Sequence, residues 1–206
     1  MDFTLFANPE SGHSYKVKLM LEIAQIEHDF HIIDLSLPRS QRPEPFRSLT
    51  PFGEVPLLLH KGEALAQSNA ILHYLAVHTG RWGGETPQRL NKALQWLFWE
   101  ANRLGLSLPN VRFANRFAPT AYPPGTLDWL RARLELDIQR LAKEFADGRK
   151  FILDNVPSIA DFSLCAYLFW ADQAQLTVPE EVAAWLERIR QLPSWQAPYP
   201  MMRTQP

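Results

Sequence analysis

The chain has 206 residues, 46% of them hydrophobic and 21% charged, with a formal net charge of -1. That length suits one large domain or two small ones with a real core, and the balanced charge without a basic stripe argues against nucleic acid as the main partner. The longest apolar runs, such as residues 55–59, are far too short to cross a bilayer, and the single cysteine, Cys165, excludes an internal disulfide framework or a cysteine zinc cluster. Met1 leads straight into a strand-like segment, so no secretory signal is expected, and a reducing cytoplasm is the natural setting.

In chain order, residues 3–6 read as a short strand. Val17, Met20, Leu21 and Ala24 recur at helical spacing and mark an amphipathic helix over about 14–26. Residues 30–35 read as a second strand, giving a βαβ start. The stretch 38–51 is rich in Pro and Arg, with at most a short helix near 44–49. A third strand is expected over 56–59 and a short fourth over 64–66, with a turn at Lys61-Gly62-Glu63 between them. A helix follows over 68–78. The Gly-rich break at 79–84 then separates a first domain, 1–79, from a second, 85–206.

No convincing strand follows that break. Pro87 suits a first helical turn. A stripe of Leu90, Leu94, Leu97, Phe98 and Ala101 runs to about Leu108, where Pro109 should kink or end the helix. Trp96, Phe98 and Trp99 read as core. Helices are expected over 126–146, 158–173 and 180–191. Ser158-x-x-Asp161 fits a capping box, a structural role, and Cys165 one turn later reads as a buried structural thiol. The fold class is therefore a small α/β domain followed by an all-α domain.

Three segments of the first domain carry chemistry. Ser11-Gly12-His13-Ser14 opens a helix, whose N-terminus leaves unpaired N–H groups and partial positive charge. A thiolate there is stabilised, and a serine hydroxyl can donate to it; Ser11 or Ser14 equally suits a plain cap, and His13 a solvent-facing loop residue. Val55-Pro56 precedes a strand. A trans bond there is ordinary, whereas a cis bond exposes backbone groups for an extended peptide ligand. Gln67-Ser68 opens another helix, as a cap or as a carboxylate site with Gln67 accepting from an ammonium.

In order and spacing these segments resemble the glutathione transferase family. The run Pro51-Phe52-Gly53-Glu54-Val55-Pro56-Leu57-Leu58 is similar to its Asn-Pro-x-Gly-Lys-Val-Pro-x-Leu signature. Ala66-Gln67-Ser68-Asn69-Ala70-Ile71 is similar to its Glu/Gln-Ser-x-Ala-Ile signature, and residues 157–164 to its Ser/Thr-x-Ala-Asp helix start. The resemblance covers essentially the whole chain. It implies a thioredoxin-like glutathione-binding domain followed by a helical domain.

On that resemblance the glutathione site comprises Ser11, Glu54, Val55, Pro56, Gln67 and Ser68. Val55 would pair with the cysteinyl part beside a cis Pro56, and Gln67 and Ser68 would hold the γ-glutamyl end. Ser11 falls on the serine that assists the thiolate in theta- and zeta-like classes, with Ser14 as runner-up. Tyr15 is not at the tyrosine position of other classes. Glu54 stands where the family usually has Lys, turning a cation that suits the glycyl carboxylate into an anion; Thr50 stands for Asn. A second-substrate pocket would lie between the domains, near Arg112, Phe113 and Arg116.

The implied function is a homodimeric transferase, dimerising through a loop that carries Phe52. It would activate glutathione, its co-substrate, for attack on a small hydrophobic electrophile, a detoxification chemistry, with no metal and no covalently held cofactor. The alternatives are a glutathione-dependent reductase or isomerase, or a non-catalytic binding module of this fold, similar to the stringent-starvation proteins.

Overall fold

The computed structural model describes residues 1–203; the last three residues of the expected second domain lie outside the described residues. Among the described residues, strands are confined to the first third. The sheet has the order β2-β1-β3-β4, built from β1 (Phe3–Ala7), β2 (His28–Ile32), β3 (Leu57–His60) and β4 (Glu63–Ala66). β1 pairs parallel with β2 and antiparallel with β3, and β3 pairs antiparallel with β4. Period-two alternation sorts the side chains onto two faces. Phe3, Leu5, Ala7 and Leu58 join the main core, while Phe6 and Leu57 pack with Ile33 and Phe46 on the other face.

Helix α1 (Gly12–Ile23) carries the chain from β1 to β2. It starts two residues before the apolar periodicity suggests, because Ser11 caps it by accepting the Ser14 N–H at 3.1 Å. A four-residue helix α2 (Phe46–Leu49) buries Phe46, and α3 (Ser68–Thr79) follows β4, ending at Gly80 in the left-handed conformation. The rest is helical: α4 (Pro87–Asn102), α5 (Leu104–Arg116), α6 (Thr126–Ala142), α7 (Ile159–Leu168), α8 (Glu180–Arg190) and a short α9 (Pro198–Met201) that sequence periodicity did not reveal. α7 packs against α1, α3 and α4, so the strand-bearing and helical parts share one continuous core.

Two expectations need correction. The helix break falls at Arg103 (φ -117, ψ -94), not at Pro109, which lies inside α5. One missing N–H is a local loss; burial of Leu104, Leu108, Val111 and Ala114 along α5 offsets it, and Arg103 is held at the break by Asp137 at 2.6 Å. Phe98 is 75% exposed rather than core, since α4 turns Ala93, Leu97 and Glu100 inward instead. The capping box at α7 is as expected, and Asp161 does more than cap. Its carboxylate accepts from the Ser158 N–H (2.8 Å), the Ile152 N–H (2.9 Å) and Trp185 Nε1–H (2.9 Å). Cys165 is buried, and burial pushes its thiol well above the ordinary range. No helix among the described residues is long and apolar enough to cross a membrane.

Candidate active site

A cavity of about 520 Å³ opens beside the N-termini of α1 and α3. Ser11 and His13 line it from the first helix start. Glu54, Val55 and Pro56 line it from the loop before β3, and Gln67, Ser68 and Asn69 from the start of α3. Arg39, Arg42, Phe52, Glu100 and Gly105 complete the wall. Segments more than fifty residues apart in sequence thus meet at one place.

The two serines differ. Ser11 lines the cavity, whereas Ser14 is fully buried and its hydroxyl accepts the Asn8 N–H at 3.2 Å. His13 is half-buried; burial and then the Lys16 ammonium hold its pKa down at about 4, against a smaller opposing pull from Glu100. It is neutral near pH 7 and adds no charge beside Ser11. The start of α1 presses on Tyr167 of α7: a Cβ at Gly12 would lie 2.6 Å from the Tyr167 ring, so only glycine fits there. Tyr15 is buried and donates to the Gln196 carbonyl at 2.8 Å, away from this role.

Val55-Pro56 is a cis peptide. Val55 lies outside the ladder, which begins where Leu57 meets Phe6 and Ala66. Gln67 holds φ 67 and ψ 113, a conformation that non-glycine residues rarely adopt and that recurs at ligand clamps. Its amide Nε2 donates to Glu54 Oε2 at 3.0 Å. An amide with its nitrogen fixed presents its oxygen on the other side, so Glu54, the departure from the family signature, orients an acceptor.

Cations come from a segment where sequence reasoning named no site residue. Arg39 lies over Gly53, itself at φ 67, and its side chain makes no ion pair or hydrogen bond among the described residues. Arg42 donates to the Gly53 carbonyl at 2.6 Å, bracing the loop. Behind the wall lies a second feature that sequence reasoning missed. Lys16 Nζ is 2.9 Å from Glu100 Oε2, with side chains 0% and 4% exposed. Asn69 and Ser163 bond to both. The available signal was a lysine set between apolar neighbours in α1.

Arg112, Phe113 and Arg116 are not among the residues that line this cavity. Arg112 is 3% exposed and is consumed by Glu10 (2.5 Å), Gln173 (2.7 Å) and a stacking contact on Trp170. Arg116 also pairs with Glu10 at 3.2 Å. Glu10, beside Ser11, pairs with both and so ties the loop before α1 to α5. No group of three or more His, Cys, Asp or Glu among the described residues is placed to hold a metal ion.

Residues 1–77 match the N-terminal domain of glutathione S-transferases, and residues 114–200 match their C-terminal domain. The chain belongs to the glutathione S-transferase family. It is 30% identical to the disulfide-bond oxidoreductase YfcG of Escherichia coli (strain K12), covering 92% of this chain and 90% of that protein. Its fold superposes on a possible glutathione S-transferase from Rhodopseudomonas palustris with a TM-score of 0.86 and 29% identity, over 100% of both chains. A glutathione S-transferase from Pseudomonas fluorescens gives the same score at 25% identity, over 98% of this chain and 100% of that one. Membership carries a glutathione-using function at the level of the family.

Proposed function

We propose that this protein binds glutathione in the 520 Å³ cavity and ionises its thiol for attack on a small hydrophobic electrophile. One observation carries the reading: Ser11, Val55-Pro56 and Gln67-Ser68 all line that cavity. In this reading the N-terminus of α1 and the Ser11 hydroxyl stabilise the thiolate. The free backbone of Val55 pairs with the cysteinyl unit as an added strand would. The start of α3 with Ser68 takes the γ-glutamyl carboxylate, and the Gln67 amide oxygen accepts from its ammonium. The thiol proton leaves to solvent, sulfur forms a bond to the electrophilic carbon, and the leaving group departs with its electron pair. Retention on immobilised glutathione, followed by turnover of an aryl halide, tests this. A protein that is neither retained nor active would instead be a binding module of this fold.

Arg39 supplies the cation that Glu54 removed, meeting the glycyl carboxylate. Because Arg39 is exposed, screening keeps the effect modest. Arg39→Ala should weaken glutathione about two- to fivefold by calorimetry and lose salt sensitivity. Unchanged affinity at low salt would remove Arg39 from the site.

A second reading is favoured by the Escherichia coli relative's name, a disulfide-bond oxidoreductase. Cys165 is buried with its thiol pushed up, so the protein supplies no reactive thiol. Bound glutathione thiolate would attack a substrate disulfide, forming a mixed disulfide and expelling one thiolate. A second glutathione would then release the other half as glutathione disulfide forms. Supplying a small disulfide and an aryl halide in parallel, and assaying glutathione disulfide against thioether, separates the two readings.

A homodimer is also proposed. Phe52 is 49% exposed at the cavity rim, an apolar side chain fit for a partner's pocket. Sedimentation should give a dimer, and Phe52→Ser should shift it toward monomer. A monomeric wild type would end the idea.

A further inference from the structure

The loop between β1 and α1 is held from two sides. On the sheet side, the Asn8 carbonyl accepts the Ser11 N–H at 3.0 Å and the Asn8 side chain accepts the Glu10 N–H at 2.9 Å. Asn8 in turn donates to the Ile33 carbonyl at 2.8 Å. On the helical side, Arg112 of α5 donates from Nη1 to the Glu10 carbonyl at 2.8 Å and from Nη2 to Glu10 Oε2 at 2.5 Å. This guanidinium is itself fixed. It is 3% exposed, lies 4.4 Å from the centre of the Trp170 ring, and donates from Nε to Gln173 Oε1 at 2.7 Å. Tyr199 of α9 adds a bond to Glu10 Oε2 at 3.0 Å, and Arg116 one to Glu10 Oε1 at 3.2 Å.

The bond to the Glu10 carbonyl differs from the others. Bonds to the Glu10 carboxylate hold a side chain, whereas this one holds the main chain. The peptide unit joining Glu10 to Ser11 is planar. Arg112 takes its C=O and Asn8 takes its N–H, so the plane is pinned at both edges. Ser11 follows directly as the N-cap of α1, at φ -98 and ψ 112, with its side chain accepting the Ser14 N–H at 3.1 Å. Its Cα–Cβ bond therefore starts from a fixed plane, and Ser11 lines the cavity. The forked guanidinium suits this task, since separate arms reach the carbonyl and the carboxylate of one residue at once.

We infer that Arg112 is a positioning residue for thiol activation: through the Glu10 carbonyl it fixes the peptide unit that carries Ser11, and so sets where the Ser11 hydroxyl meets a thiol bound in the cavity. The inference rests on the glutathione reading above. Arg112 is not itself among the cavity-lining residues, so it acts through the loop. Small displacements matter here, because a hydrogen bond weakens steeply as its angle departs from linear. The helical part thereby acts on the reacting sulfur through the main chain of the thioredoxin-like part.

The experiment is thiolate absorbance against pH in glutathione-saturated protein, for wild type, Ser11→Ala, Arg112→Met, Tyr199→Phe, and Arg112→Met combined with Glu10→Gln. Thermal melts check the fold. Arg112→Met should raise the bound thiol pKa by about half to one unit and cut turnover near neutral pH about three- to tenfold, with glutathione affinity unchanged within about twofold. Tyr199→Phe removes a bond to the Glu10 carboxylate and leaves the carbonyl held, so it should not move the pKa. The combined variant should keep the full Arg112→Met shift, because the carbonyl is still released. A return to the wild-type pKa there would mean that Arg112 acts by cancelling the Glu10 charge, which overturns the inference. So would a Tyr199→Phe shift as large as that of Arg112→Met, since the carboxylate would then be the tether. If Arg112→Met does not fold, Arg112→Lys carries the test: it keeps the charge without the fork, should also raise the pKa, and overturns the inference if it does not. If Ser11→Ala shifts the pKa and Arg112→Met does not, the inference is overturned while the glutathione reading stands. No shift in Ser11→Ala removes the serine-assisted mechanism and this inference together.

Discussion

Lys16→Met should lower stability by about 3–5 kcal/mol, a drop in melting temperature of roughly 6–20 °C for a chain of this size. The reason is desolvation. Lys16 and Glu100 lie 2.9 Å apart with almost no exposure, and removing one partner leaves the other as an uncompensated buried charge. The pair sits where four helices meet: Lys16 on α1, Asn69 on α3, Glu100 on α4 and Ser163 on α7, all within hydrogen-bond reach of one another. Asn69 also donates to the Leu97 carbonyl at 2.8 Å, a second tie to α4.

The pair's attraction and its desolvation nearly cancel in the intact protein. Lys16→Met with Glu100→Gln should therefore recover most of the loss, which a simple packing defect would not. The pH dependence has a definite sign. Burial raises the Glu100 pKa, but Lys16, His13 and the hydrogen bonds from Lys16 and Asn69 outweigh it and hold it below its ordinary value of 4.5. A depressed folded pKa contributes stability that is full above the unfolded value and lost as pH falls through the folded one. In Lys16→Met that depression disappears, so the variant's deficit should be largest near neutral pH and shrink in acid. A deficit independent of pH, or one below about 1 kcal/mol, would mean the pair does not anchor the helices.

Periodicity made the sheet and most helices legible. Phe3 to Phe6 alternate between two cores, and Ser68 starts a helix because the apolar run behind it has the right spacing. Ser11, Val55, Pro56, Gln67 and Ser68 were legible as candidates because each marks a local start of helix or strand. Their meeting at one cavity is a long-range fact that local signals do not carry. Lys16, Glu100 and Arg39 were missed for the same reason: what a charged side chain ends up beside is settled only once the chain has folded. Arg112 misled because a basic residue near aromatics looks like an anion site until Glu10, a hundred residues earlier, is found beside it. Phe98 misled because one residue of phase error on a helix turns a core position outward.

Ser11→Ala should raise the pKa of the bound glutathione thiol by about one to two units. A hydrogen bond to a charged group contributes roughly 1.5–3 kcal/mol, and each pKa unit is about 1.4 kcal/mol. Turnover near neutral pH should fall roughly ten- to a hundredfold, because the thiolate fraction falls with it, and should recover as pH rises toward the new value. Glutathione affinity should change less, since Val55, Gln67, Ser68 and Arg39 would hold the rest of the peptide. Ser14→Ala is the control. Its hydroxyl is spent on the Asn8 N–H inside the protein, so it should weaken the start of α1 and leave the thiol pKa nearly unmoved. The measurement is thiolate absorbance against pH on both variants. A large shift in Ser14→Ala with none in Ser11→Ala would transfer the role to Ser14. No shift in either would leave thiolate stabilisation to the N–H groups and dipole at the start of α1.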